Sequence, residues 1–99
     1  MPAYSGKFQY TGENGEDLCQ GPCQVAFDQD RCVVTPSSGA PLVFDLGDVD
    51  RATPAERDLH LALYTGRILT LNHFGGAFSN LSGELLAAWR DRTVRCLLL

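Results

Sequence analysis

Residues 58–72 read DLHLALYTGRILTLN. Leu59, Leu61 and Leu63 alternate along the first part, and Arg67, Leu69 and Leu71 alternate along the second. A period of two sets apolar side chains on one face of a half-buried strand. A two-residue loop at Thr65-Gly66 sets Leu61 opposite Thr70 and spoils that face. A three-residue loop of Tyr64, Thr65 and Gly66 pairs Leu61 with Leu69 and Leu59 with Leu71. Such a loop needs a left-handed residue at its third position, and Gly66 stands there. Register and turn chemistry agree on one antiparallel hairpin.

Upstream, short segments of strand length alternate with turn signals, the signature of an antiparallel sheet. Lys7–Thr11 carries Phe8 and Tyr10 on one face and predicts a first strand. GENGEDLCQGP, residues 12–22, is acidic and glycine-rich and reads as a long loop. Residues 23–28 and 31–35 form a second hairpin. With Gln29-Asp30 as its loop, Phe27 pairs with Cys32 and Val25 with Val34, all on one face with Cys23. Leu42, Phe44 and Leu46 continue the apolar face. Gly47 then shifts the phase so that Val49 points inward, which predicts a bulge or bend.

Downstream, the period changes. From Ala77 onward, Phe78, Leu81, Leu85 and Trp89 fall at i, i+3, i+7 and i+11, the stripe of an amphipathic helix laid on the sheet. Phe78, Leu85 and Trp89 are expected to anchor it, and Gly66 to set the hairpin. The chain is thus mainly β, with about seven antiparallel strands and one C-terminal helix.

Ninety-nine residues make one small domain, here 1–99. About two thirds of the surface of a chain this size is buried on folding, enough for a core without staples. With 44% hydrophobic and 20% charged residues, disorder is excluded for most of the chain. The net charge of −4 and the single Lys argue against nucleic acid and anionic membranes, both of which need clustered cations. Arg90, Arg92 and Arg95 form the tightest basic cluster, and at a helix C-terminus they complement its dipole. The start, MPAYSGKFQY, has neither the basic end nor the apolar stretch of a secretory signal. A reducing cytoplasm and free thiols are therefore expected.

VFDLGDVDRA, DLHLALYTGRILTLNHFG and FSNLSGELLAAW, in that order, resemble the pleckstrin-homology-like superfamily over about residues 20–92. The resemblance implies two nearly orthogonal antiparallel sheets, with the C-terminal helix capping one open end of the barrel. That family typically carries one Trp in its last helix, and Trp89 matches it. Lipid-binding members use Lys and Arg between the first two strands. Here that segment holds Glu13, Glu16 and Asp17 and no base, which argues against phosphoinositides. Members that bind peptides or proteins, often along a sheet edge beside the helix, remain as the model. The abundance of Leu, Ala and Arg beside one Lys resembles proteins of GC-rich bacterial genomes.

The expectation is a non-catalytic protein-interaction or self-association module with no cofactor, the N-terminal part of a longer bacterial protein. Leu97, Leu98 and Leu99 end the chain without a helix stop signal. They are the expected contact residues, in a homo-oligomer or against a protein partner, because exposed they form a sticky patch. A second reading is a zinc module using Cys19, Cys23 and Cys32 with His60 or His73 as fourth ligand. Against it, the alternation already points Cys23 and Cys32 at a core. Asp45, Asp48 and Asp50 lack the Gly and Glu spacing of a calcium loop. A small enzyme is the third reading, but no nucleophile elbow or phosphate loop accompanies His60 or His73.

Overall fold

The computed structural model describes residues 3–97, the side chains of residues 96 and 97 excepted. Seven strands precede one helix: β1 (Ala3–Thr11), β2 (Asp17–Phe27), β3 (Arg31–Pro36), β4 (Leu42–Asp45), β5 (Val49–Pro54), β6 (Leu59–Leu63), β7 (Ile68–Asn72) and α1 (Phe78–Leu97). They form one antiparallel sheet in the order β4-β3-β2-β1-β7-β6-β5.

This order forces the sheet to curl. β4 and β5 are the opposite edges, yet only Leu46, Gly47 and Asp48 separate them. In a flat sheet, six strand spacings of about 4.8 Å would hold the edges about 29 Å apart. The link from Asp45 to Val49 spans at most about 14 Å. The edges therefore meet at this corner, and the sheet bends into a half-barrel. The link is a 3-10 turn whose Leu46 is buried and whose Gly47 N–H donates to the Asp45 carboxylate at 2.7 Å. The phase shift expected at Gly47 is thus a turn between two edges, and Val49 does point inward.

The hairpin of β6 and β7 has the expected register, Leu61 opposite Leu69 and Leu59 opposite Leu71, with Gly66 at φ 92°. Phe27 faces Cys32 and Val25 faces Val34, also as expected. The concave face collects Phe8, Val25, Val34, Leu61 and Leu69, and α1 closes it with Leu81 and Leu85. Phe78 and Trp89 are only half-buried at the margin of this contact. The Trp89 indole N–H donates to the Val49 carbonyl at 2.9 Å, tying the helix to the closed corner. Tyr4 adds a second tie, its hydroxyl donating to Glu84 at 2.8 Å.

One segment departs from expectation. Residues 12–22 are not a long loop: β2 begins at Asp17 and pairs with β1 from Thr11 back to Ala3. The turn is the short Gly12–Glu16 stretch, closed by a Gly12 N–H bond to the Glu16 carbonyl at 2.8 Å. Residues 17–20 are all exposed. They pair through backbone bonds and one side-chain bond from Gln9 to Asp17, with no side chain buried, so no apolar alternation marks them.

Candidate functional site

Cys23 and Cys32 lie on the concave face, while Cys19 is exposed. Burial pushes the Cys23 thiol up to about 11. Burial first, and the neighbouring Cys23 second, push the Cys32 thiol up to about 12. Thiolate is the form that attacks and that binds metal, so both are inert packing groups at neutral pH. His60 lies on the convex face, its Nδ1 3.1 Å from Thr70 Oγ1. His73 stands on the link from β7 to α1, its Nδ1 2.8 Å from Asn72 Oδ1. Core cysteines on one face and His60 on the other cannot share an ion. Among the described residues no three His, Cys, Asp or Glu side chains come together to hold a metal. The zinc reading of Cys19, Cys23 and Cys32 is therefore set aside.

The acidic run resolves into separate roles. Asp45 caps the corner turn. The Gly47 N–H bond, and after it the Arg92 side chain, hold its carboxyl below the usual range. Asp48 and Asp50 are exposed. Arg92 Nε lies 3.1 Å from Asp45 and 3.7 Å from Asp30. The Arg95 guanidinium lies 3.1 Å from both Asp30 and Asp91 and donates to the Gln29 carbonyl at 2.8 Å. These arginines bind the helix end to the β2–β3 turn and to the closed corner. Sequence reasoning assigned them to the helix dipole and missed the cross-chain partners, because only the curled topology brings Asp30 and Asp45 beneath the helix.

What remains free is surface. Each edge strand, β4 and β5, is paired on one side only. Val43 on β4 is 57% exposed. Leu18, Tyr64, Ile68 and Val94 are the other exposed large apolar side chains among the described residues. An open groove of about 950 Å³ is lined by Glu56, Arg57, His73, Phe74 and Phe78, among others. The expected contact residues Leu97, Leu98 and Leu99 follow Val94, and their side chains lie outside the described residues.

No family model matches the sequence, and no curated protein does. Solved structures do match. The pleckstrin homology (PH) domain of USP37 superposes with a TM-score of 0.63 at 14% identity, over 90% of this chain and 97% of that one. The N-terminal PH domain of human ARAP2 gives 0.64 at 10% identity, over 92% of this chain and 82% of that one. The fold is PH-like. Seven antiparallel strands and one closing helix are as the resemblance implied, but the two sheets it implied are here one continuous curled sheet. Against that PH-like frame, the β1–β2 turn is acidic, with Glu13 and Glu16 exposed. Among the described residues no helix is long and apolar enough to cross a membrane.

Proposed function

We propose that this PH-like domain is a non-catalytic module that binds another polypeptide, in a bacterial cytosolic protein. The observation that carries the reading is the free edge of β4 with Val43 standing out from it. Such an edge offers a row of backbone donors and acceptors to an extended partner, and a side chain beside it selects that partner. The rest of the chemistry fits: the Cys23 and Cys32 thiols are packing groups, Asp45 is a cap, and the paired arginines hold the helix. His60 and Thr70 do bond, but neither lines the groove beside Phe74 and Phe78. The acidic β1–β2 turn is the wrong sign for a phosphoinositide headgroup.

A photo-reactive residue at position 43, introduced in cells that make the protein, tests this. A defined polypeptide adduct at position 43, absent at exposed convex-face positions away from the β4 edge, is the expected result. Adducts at position 43 that match those at a control position on the convex face would sink the idea.

Self-association through Leu97, Leu98 and Leu99 is the second reading. Val94, 54% exposed one turn earlier on α1, favours it by extending that apolar end. Light scattering on a sizing column across concentration decides it. A dimer that becomes monomeric without residues 97–99 supports the reading, and a monomer at every concentration removes it.

A further inference from the structure

Three exposed apolar side chains lie toward the end of the sheet where two neighbouring hairpins turn. Leu18 is 44% exposed, Tyr64 71% and Ile68 40%. Thr11 pairs with Asp17 on one side and with Ile68 on the other, so these residues cross three adjacent strands. Leu18 follows Asp17 at the irregularity in this ladder. The two turns touch, because a Cβ placed on Gly66 would sit 3.1 Å from Glu13 Cγ. Tyr64 belongs to that same turn, and its N–H donates to the Asp48 carbonyl at 3.0 Å.

The same end of the sheet carries exposed carboxylates. Glu13, Glu16, Asp17 and Asp48 are all exposed. The Glu16 carboxylate accepts the Asn14 N–H at 3.1 Å, and Asp17 accepts from Gln9 Nε2 at 2.7 Å, but both stay open to solvent. Two cations accompany them. Arg67 lies 5.8 Å over the Tyr10 ring, and its charge is set against Glu13 and Glu16, while exposed Arg51 shares a cross-strand row with Ala62 and Ile68.

We propose that this end of the half-barrel docks a basic polypeptide segment, with lysines or arginines alternating with apolar residues. Charge complementarity selects the occupant. The carboxylates repel nucleic acid and anionic lipid, and a second copy would bring the same carboxylates to face them. Leu18, Tyr64 and Ile68 add exposed apolar surface that a simple cation would leave uncovered. The inference rests on the reading of the domain as a polypeptide-binding module but uses a different face from the β4 edge. Its failure would leave the adduct at position 43 unaffected.

The test uses the full chain and a fluorescein-labelled octapeptide of alternating lysine and valine, with a glutamate–valine peptide as its counterpart. Fluorescence anisotropy should show the basic peptide binding at least tenfold more tightly than the acidic one. The pair Glu13→Lys with Glu16→Lys should weaken it tenfold or more. The pair Tyr64→Ser with Ile68→Ser should weaken it comparably at unchanged charge. Both double variants should keep the wild-type unfolding midpoint, since all four side chains are exposed. Binding that depends on salt but survives Tyr64→Ser with Ile68→Ser would be charge attraction without a docking surface and would overturn the proposal. Binding to phosphatidylserine vesicles that the basic peptide does not displace would overturn it as well.

Discussion

Cys19 and Cys23 stand four residues apart on β2, one exposed and one buried. Both belong to the ladder with β1, Cys19 opposite Tyr10 and Cys23 opposite Gly6. The second half of β2 also pairs with β3, from Cys23 to Phe27, and faces the core. Asp17–Gly21 pair with no strand on that side among the described residues and lie outside the core; contact there begins at Pro22, whose carbonyl accepts the Ser37 N–H at 3.0 Å. Backbone pairing makes both halves a strand. Only burial and a second neighbour make one half contribute strongly to stability, and the other half is left as surface available for contact.

The largest effect expected from this contrast is a difference in thiol reactivity. In a Cys96→Ser background at neutral pH, Cys19 should react with a thiol reagent at the rate of an open thiol. Cys23 and Cys32 need the core to open first, and should be slower by on the order of 10³-fold or more. Alkali gives the same contrast a second reading. Burial raises both core thiols above the unfolded value of about 8.5, so the unfolded chain loses those protons first. The stability from keeping them neutral is present below that value. It drains as pH rises toward about 11 for Cys23 and about 12 for Cys32. Equal labelling of all three thiols would break the comparison.

Substitution should show the same asymmetry in free energy. Phe27 is 7% exposed and stacks on Tyr4, ring centroids 6.2 Å apart. Phe27→Ala should cost about 3–5 kcal/mol in urea denaturation. Leu18→Ala, in the outer half of the same strand, should stay within about 0.5 kcal/mol. A Leu18 variant as damaging as the Phe27 one would mean that the outer half belongs to the cooperative core.

The helix end offers a test of intermediate size, because Trp89 combines partial burial with one hydrogen bond. Trp89→Ala should cost about 3 kcal/mol, the low end for a large aromatic, since the ring is only half-buried. Trp89→Phe keeps most of the apolar contact and loses the bond to the Val49 carbonyl, about 1 kcal/mol. A Phe variant as unstable as the Ala variant would place the helix anchor in that single bond rather than in packing.

This contrast also explains what could be read from the residues alone. Leu59, Leu61, Leu69 and Leu71 announce their register because each is buried, and burial writes a period of two into a strand. The stripe of Leu81 and Leu85 is legible for the same reason at the helical period. Asp17–Gln20 carry no such mark, so a paired strand looked like a loop. The joining of Arg92 and Arg95 to Asp30 and Asp45 was hidden for a different reason. It depends on the sheet curling until its edges meet, a property of strand order that no local pattern encodes. The candidate surfaces were partly legible as exposed edges, but the meeting of Glu13 with Gly66 required the β1–β2 turn to be short.

The two turn glycines give the smallest and sharpest comparison. Gly15 at φ 83° closes the β1–β2 hairpin, and Gly66 at φ 92° closes β6–β7. A Cβ in this left-handed region strains the backbone by about 1–2 kcal/mol at either position. At Gly66 the flanking strands end in Leu63 and continue to Leu61 and Leu69, all buried, so the strain cannot be relieved without exposing core. Gly66→Ala should therefore lower global stability by about 1 kcal/mol or more, with Gly66→Asn recovering part of it. At Gly15 the neighbours Glu13, Asn14, Glu16 and Asp17 are all exposed. That turn can fray, and the loss is capped by the small free energy of local opening. Gly15→Ala should thus cost less than Gly66→Ala in denaturant, while hydrogen exchange at residues 12–17 speeds up. Equal losses at the two positions would show that the acidic turn is held as firmly as the leucine hairpin, and that the exposed half of β2 is rigid before any partner arrives.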